Sequence, residues 1–209
     1  GELPESLCNL ASTLQYIGYA CGQTLPDCVQ DLCLSDSVEC VGGSSLAGTA
    51  TTSTVQSCLY SLTTMELLSD VDISSVEGFP FVNIPYGASY VIDGGGFTLS
   101  AASSSALESL FHVESGASLE LRNIVLTNKG GRAVYVESGG TLIAGEGCVF
   151  KRNTGADRGG AVYNDGGTFT ADSATFTNNT ASENGGAVYN YGAFNADSAT
   201  FTDNTASYE

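Results

Sequence analysis

The chain has 209 residues, a net charge of −17 at pH 7 and no tryptophan. The negative electrostatic field of such a chain repels nucleic acid and anionic lipid, so we predict neither as a partner. Ca²⁺, high salt and basic partners are compatible with this field. No apolar run approaches the roughly 18–20 residues needed to cross a bilayer, so we predict no direct membrane insertion. No cofactor is predicted either.

Residues 1–58 are predicted to form a Cys-rich N-terminal module, with a linker rich in Ser, Thr and Gly at 43–57. Leucine and isoleucine recur at helical spacing over residues 5–19, which indicates a partly helical unit. The module has no CxxC pair and no histidine, so three disulfides are favoured over a zinc site, and the spacing leaves their pairing open. Its role is either to cap a neighbouring domain or to dock another subunit. The six cysteines are Cys8, Cys21, Cys28, Cys33, Cys40 and Cys58.

Residues 59–209 are predicted to form a second domain built from repeats. GGAVYN at 159–164 returns 26 residues later at 185–190, and ADSATFT at 171–177 returns 25 residues later at 196–202. A repeat of this length that is rich in Gly, Thr and Asn indicates a solenoid whose units stack on one another.

Apolar residues at i and i+2 place the strands within each repeat. A first pair, such as Leu119 and Leu121, is followed after a short break by a second pair, such as Ile124 and Leu126. The break reverses the alternation, so we predict a corner there, and a third strand follows at segments such as 134–136. Three short strands per turn of about 25 residues predict an all-β fold, a parallel β-helix of about five to six coils. The predicted corners are Arg122-Asn123, Asp172-Ser173 and Asp197-Ser198, with extra residues at Asp93–Gly96 and at 145–147.

An asparagine follows three residues after a phenylalanine in successive repeats. Stacked asparagine side chains at a turn can hydrogen-bond from coil to coil, which favours a structural ladder, and an Asn-lined binding site is the alternative. The ladder residues are Asn153, Asn179 and Asn204.

The motifs GGAV, at 159–162 and 185–188, and FxxN, at 150–153, 176–179 and 201–204, resemble the polymorphic outer-membrane-protein repeat. That repeat has the form GGA(I/L/V)…FxxN. The resemblance implies a right-handed parallel β-helix on a secreted or cell-surface protein, and an adhesin in bacterial members. It therefore predicts an extracellular or cell-surface location.

The predicted register places a column of aromatic side chains on the outer side of the third strand. Such a column suits sugar stacking or packing against a neighbouring protein. A register slip of one residue would instead turn these rings inward. The column consists of His112, Tyr135, Tyr163 and Tyr189.

The sequence also predicts the state of one cysteine, Cys148, and one possible glycosylation site, Asn178. Cys148 shares a column with Phe97, Ile124, Ala174 and Ala199, all predicted to point inward, so we expect a buried and unreactive thiol. Asn178 begins an Asn-Asn-Thr sequon and is a candidate N-glycosylation site in a eukaryotic-type secretory route.

An enzymatic role is not predicted. Polysaccharide lyases and hydrolases on this fold need clustered carboxylates with a basic partner. Asp172 and Asp197 align in adjacent coils, but turn chemistry explains both.

We therefore predict a non-enzymatic extracellular structural protein, a subunit of a surface fibre or appendage whose partners are other copies of itself. The sequence ends at Glu209, at the close of a repeat, so we expect an open coil end on which a second copy stacks head to tail. An adhesin-type or glycan-binding surface domain is the alternative, and a β-helix polysaccharide lyase or hydrolase is third.

Overall fold

The computed structural model describes residues 45–49, 64–73, 82–101 and 108–207, the first of these stretches by its backbone alone. The six N-terminal cysteines and the predicted helical segment lie outside the described residues. The domain boundary at residue 58 therefore stays a prediction. The predicted linker contains a described strand, Ser45–Thr49, which pairs in parallel with the strand at Thr64–Ile73.

Within the described residues every regular element is a β-strand. The strands, in chain order, are β1 Ser45–Thr49, β2 Thr64–Ile73, β3 Val82–Ile84, β4 Ser89–Asp93, β5 Thr98–Ala101, β6 Ser109–Val113, β7 Ser118–Arg122, β8 Val125–Asn128, β9 Arg132–Val136, β10 Thr141–Ala144, β11 Val149–Lys151, β12 Thr154–Gly155, β13 Val162–Asn164, β14 Thr168–Thr170, β15 Thr175–Thr177, β16 Thr180–Ala181, β17 Val188–Asn190, β18 Ala193–Asn195, β19 Thr200–Thr202 and β20 Thr205–Ala206.

The strands stack into a parallel β-solenoid of about five turns, which confirms the all-β, parallel β-helix part of the predicted fold. The first face runs β2-β4-β7-β10-β14-β18, and the second runs β2-β5-β8-β11-β15-β19. Both faces share β2, whose early residues pair with β4 and whose late residues pair with β5. The third face is the sheet β3-β6-β9-β13-β17, and the short strands β12, β16 and β20 form a further small sheet that the sequence did not predict.

The core lies between the faces and is made of the predicted i, i+2 pairs. Residues that pair in register stack on one another, as Phe150 does on Phe176, with ring centroids 4.7 Å apart and planes 7° from parallel. Burying such columns away from water is the main favourable contribution to the stability of the fold. The fully buried side chains include Phe111, Phe150, Phe169, Phe176, Ile84, Ile92 and Leu99.

The predicted corners are confirmed by backbone geometry. Asn123, Ser173 and Ser198 have φ angles of 42°, 59° and 56°. Asparagine and serine in this left-handed region let the chain turn between two strands that share a core. The corner therefore reverses the alternation without breaking the coil.

The inward orientation predicted for Phe97 is wrong, because 36% of this residue is exposed. Asp93 pairs with Arg122, and Thr98 pairs with Val125. Four residues therefore lie between the paired positions in the earlier coil, whereas only two lie between them in the next coil. The surplus forms a bulge with positive φ at Gly95 and Gly96. This bulge turns Phe97 out of the column that contains Ile124 and Cys148.

Phe194 and Phe201 are also exposed, by 36% and 46%. Both still stack on the coil before them, Phe194 on Phe169 and Phe201 on Phe176. They belong to the last described coil, so no described residue covers their other side.

Candidate functional site

The predicted aromatic column lies on the outer side of the third face. His112 pairs with Tyr135, Tyr135 with Tyr163, and Tyr163 with Tyr189, in consecutive strands β6, β9, β13 and β17. The residues on either side of the first three rings are buried, so strand alternation turns these rings outward, and Tyr189 pairs in register with Tyr163. All four are half-buried. We call this set of four rings the aromatic column.

The rings of the aromatic column contact one another edge to face. Centroids of successive rings lie 5.0, 5.3 and 5.1 Å apart, with interplanar angles of 71°, 86° and 87°. This is a favoured arrangement for aromatic pairs, since the positive edge of one ring meets the negative face of the next. The column is thus a continuous, ordered surface along the rod axis.

Two arginines from neighbouring coils border the aromatic column. The guanidinium carbon of Arg132 lies 5.1 Å from the ring centroid of Tyr163 and 5.9 Å from that of Tyr135. The guanidinium carbon of Arg158 lies 5.1 Å from the centroid of Tyr189. These are cation–π distances, so the arginines supply positive charge directly against the ring faces.

The two arginines differ in how well they are paired. Arg132 is buried, and its Nη2 donates to Oδ1 of Asp157 over 2.8 Å. Arg158 lies 3.8 Å from a carboxylate oxygen of Glu183, and a hydrogen bond with the Tyr163 hydroxyl raises the pKa of this arginine. The Nε atoms of both arginines are buried and have no hydrogen-bond partner among the described residues.

Carboxylates border the other side of the aromatic column, at the turns that follow the third-face strands. His112 Nε2 lies 2.9 Å from Oε1 of Glu137, and the Tyr135 hydroxyl donates to Asp165 over 2.9 Å. One coil earlier, Asn83 donates to Glu114 over 2.6 Å, and this bond together with one from the backbone of Tyr86 lowers the pKa of Glu114. Asn83, His112 and Tyr135 are therefore each anchored to a carboxylate one coil further on.

Burial, followed by the bond to Asp165, raises the pKa of the Tyr135 hydroxyl, so this tyrosine stays neutral and donates its proton to the carboxylate. Sequence reasoning missed the carboxylate row. Its available signal was the Glu-Ser-Gly segment that follows both Val113 and Val136.

The three ladder asparagines lie in one column inside the coil. Oδ1 of Asn179 accepts from the backbone N–H and from Nδ2 of Asn153, over 3.1 and 2.9 Å. Oδ1 of Asn204 accepts from the same two groups of Asn179, over 3.0 and 2.9 Å. The ladder also includes Asn128, which the sequence did not predict and whose backbone N–H donates to Asn153. These side chains bond to the protein itself rather than facing a cleft.

A second asparagine pair lies at the end of the third face. Nδ2 of Asn164 donates to Oδ1 of Asn190 over 2.6 Å, and Oδ1 of Asn164 accepts from the backbone N–H of Gly167 over 2.9 Å. This pair also escaped prediction, although both residues end the same repeated VYN segment.

The other predicted residues are separate from the aromatic column. Cys148 is a buried free cysteine, and burial raises the pKa of its thiol. Asn178 is exposed at a turn with φ of 54°, beside exposed Thr180, so a glycan at that position would meet solvent. Asp172 and Asp197 are exposed at their corners.

Among the described residues, no group of three or more His, Cys, Asp or Glu side chains is arranged to hold a metal ion. The part of the chain that the structure describes also has no helix that could span a membrane.

Comparison with known families returns one match. Residues 173–191 match the family model described as the Chlamydia polymorphic membrane protein repeat. The match includes the second GGAV segment and the FxxN motif at 176–179, so it confirms the resemblance that these motifs predicted. Comparisons with curated proteins and with solved structures found no match.

Proposed function

We propose that this chain is a non-enzymatic extracellular structural protein, a subunit of a surface fibre or appendage in which the β-helix serves as the rod. The observation that carries the proposal is the regularity of the coil-to-coil interface. Phe176 stacks on Phe150 and Phe201 stacks on Phe176 at the same 4.7 Å, with planes 7° and 6° from parallel.

In such a repeat, each coil presents to the following coil the same kind of surface that the preceding coil presents to it. Copies of the chain that meet through such surfaces make a heterologous, head-to-tail contact, and a contact of this type that does not close produces a filament. Stacking between chains would reuse contacts that already hold each chain together.

A surface location is supported by two observations. The matched repeat carries a membrane-protein name, and proteins with repeats of this kind display a β-helix outside the cell. The charge of −17 keeps the rod soluble and repels anionic lipid. A location outside the cell would also allow the N-terminal cysteines to form disulfides.

Electron microscopy of the unreduced protein tests the fibre role. Because each copy carries a charge of −17, stacking must overcome repulsion, and salt at about 1 M should screen it. We expect filaments that lengthen with protein concentration and with salt. Dispersed single rods at every concentration and salt level would contradict the proposal, and sedimentation velocity on the same samples checks for polymers lost on the grid.

A second candidate function, that of an adhesin-type or glycan-binding surface domain, is favoured by the aromatic column with its two arginines. Monomeric rods that retain an ordered aromatic surface would favour this role over the fibre. A polysaccharide lyase or hydrolase remains third. The carboxylates of Asp172 and Asp197, which first suggested it, lie at exposed corners between strands, where turn formation accounts for them.

A further inference from the structure

We propose that the aromatic column and the arginines beside it bind an uncharged, extended polysaccharide that runs parallel to the axis of the rod. This binding site goes beyond the fibre role and does not depend on it. The inference rests on the spacing of the rings, on unpaired donors beside them and on the local balance of charge.

The spacing of the rings suits a polymer of sugars. Successive centroids are separated by 5.0 to 5.3 Å over four coils. This distance is close to the rise of one sugar in an extended β-linked chain, so each ring can meet one sugar. The apolar C–H groups of a sugar pack favourably against aromatic rings, and the column exposes part of four rings in line, with successive rings nearly perpendicular to each other.

Each arginine beside the rings has one buried donor that makes no hydrogen bond within the described structure, although Nε of Arg158 also lies 3.8 Å from Oε2 of Glu183. Arg132 and Arg158 each have a buried Nε–H with no hydrogen-bond partner among the described residues. A buried donor left unpaired is unfavourable, and a sugar hydroxyl is an acceptor that can satisfy it without carrying charge. The two arginines border neighbouring rings of the column. Because their Nε atoms are buried, the guanidinium groups would have to shift for these donors to reach consecutive sugars.

The charged side chains around the aromatic column disfavour ionic ligands. Arg132 and Arg158 already hold cation–π positions on Tyr163 and Tyr189, which leaves those faces unfavourable for a basic peptide. A polyanion would meet the net charge of −17 and the row of Glu114, Glu137 and Asp165. A hydroxyl-rich neutral polymer avoids both penalties and can also donate to those carboxylates.

Isothermal titration calorimetry of the full chain with uncharged β-linked hexasaccharides of glucose, xylose, mannose and N-acetylglucosamine tests the proposal. We expect at least one hexamer to bind, more tightly than its dimer, with an affinity insensitive to salt. Tyr163→Ala should weaken that binding about tenfold, whereas Tyr163→Phe should retain most of it. The matched control is Tyr86→Ala, because Tyr86 is 79% exposed and lies outside the aromatic column.

Arg158→Gln provides a second variant if Tyr163→Ala lowers the folded fraction, because the side chain of Arg158 is 41% exposed and is not part of the core. This variant should also lose several-fold in affinity while circular dichroism and the midpoint of thermal unfolding stay unchanged. Failure of all uncharged hexamers to bind at millimolar concentration would overturn the proposal. So would binding confined to oligolysine or polygalacturonate, or an affinity unchanged in both variants. Microscopy of fibres is unaffected by any of these outcomes.

Discussion

The hydroxyl of Tyr135 donates a hydrogen bond of 2.9 Å to Asp165, thirty residues further along the chain and one coil away. The same relation joins His112 to Glu137, at 2.9 Å. This series of hydrogen bonds ends at Tyr163, because the turn after β17 has Tyr191 at the position where the earlier turns have a carboxylate. The guanidinium of Arg132 lies over the Tyr163 ring instead, 5.1 Å from its centroid. The aromatic column thus changes from carboxylate anchors to an arginine anchor along its length.

The asparagine ladder should contribute strongly to stability. Asn179→Ala removes Oδ1, which accepts from the backbone N–H and from Nδ2 of Asn153. It also removes Nδ2, which donates to the Phe150 carbonyl. Because these groups are buried, we expect a loss of about 3 kcal/mol in the free energy of unfolding. Urea denaturation measures it. The control is Asn195→Ala, on an exposed asparagine of β18, and similar losses for the two variants would mean that the ladder is not the cause.

The second glycine of the GGAV motif is required by space. A Cβ at Gly160 would overlap the carbonyl oxygen of Gly186 and lie 2.7 Å from backbone atoms of Thr180. Gly160→Ala should therefore cost about 3 kcal/mol or more, since backbone must move. Gly145→Ala is the matched control, because a Cβ there meets nothing within 4 Å. Thermal unfolding of the two variants compares them, and equal midpoints would show that the coils can separate without cost.

Glu114 should make the stability of the protein depend on pH in the acidic range. Hydrogen bonds from Asn83 and from the Tyr86 backbone lower the pKa of this carboxyl in the folded state. Its stabilising effect is therefore complete above the unfolded value of about 4.3 and is lost as the pH falls through the lower folded value. Glu114→Gln should flatten this part of the pH–stability curve. Glu146→Gln, on an exposed glutamate, should leave the curve unchanged, and an identical curve for Glu114→Gln would contradict the prediction.

Cys148 should resist alkylation while the protein is folded. The thiol is buried, its Sγ lies 3.2 Å from the Leu121 carbonyl, and burial raises its pKa, so little thiolate forms near pH 8. We expect iodoacetamide to label Cys148 only after urea unfolds the chain, as peptide mass spectrometry would show. The six N-terminal cysteines serve as an internal test of the predicted disulfides, because disulfide-bonded residues stay unlabelled in urea without reductant. Rapid labelling of Cys148 in the native protein would contradict its burial.

The core was predictable because a parallel β-helix gives equivalent positions the same surroundings in every coil. Leu119, Leu142 and Phe169 pair in register as their alignment predicted. The corner at Asn123 followed from the reversal of alternation alone. Sequence periodicity is a sufficient guide wherever one coil repeats the next without insertion.

Prediction failed where the number of residues between two positions changes. Phe97 lies behind a bulge with two extra residues, so its place in the alignment did not give its orientation. Asn128 follows Leu126 by two residues, whereas Asn153 follows Phe150 by three, and the extra residue in the later coil is Arg152, with φ of 55°. A search for FxxN at fixed spacing therefore passes over the first member of the ladder.

The carboxylate anchors of the aromatic column could not be predicted for a different reason. They depend on side-chain reach across the gap between coils, and a repeat alignment gives only the position of each Cα. Glu114, Glu137 and Asp165 vary in length and accept from three different side chains, from Asn83, His112 and Tyr135. Only the three-dimensional arrangement shows that these pairs play the same part.

The internal asparagine ladder has a consequence for how such a chain can evolve. Asn153, Asn179 and Asn204 each donate to a backbone carbonyl of the preceding coil, and each accepts from the asparagine or backbone before it. Tandem duplication of one repeat would therefore create no new kind of contact and would lengthen the rod by about 4.8 Å. The reach of the molecule can be set by copy number, through unequal recombination between repeats, while every inner contact is kept.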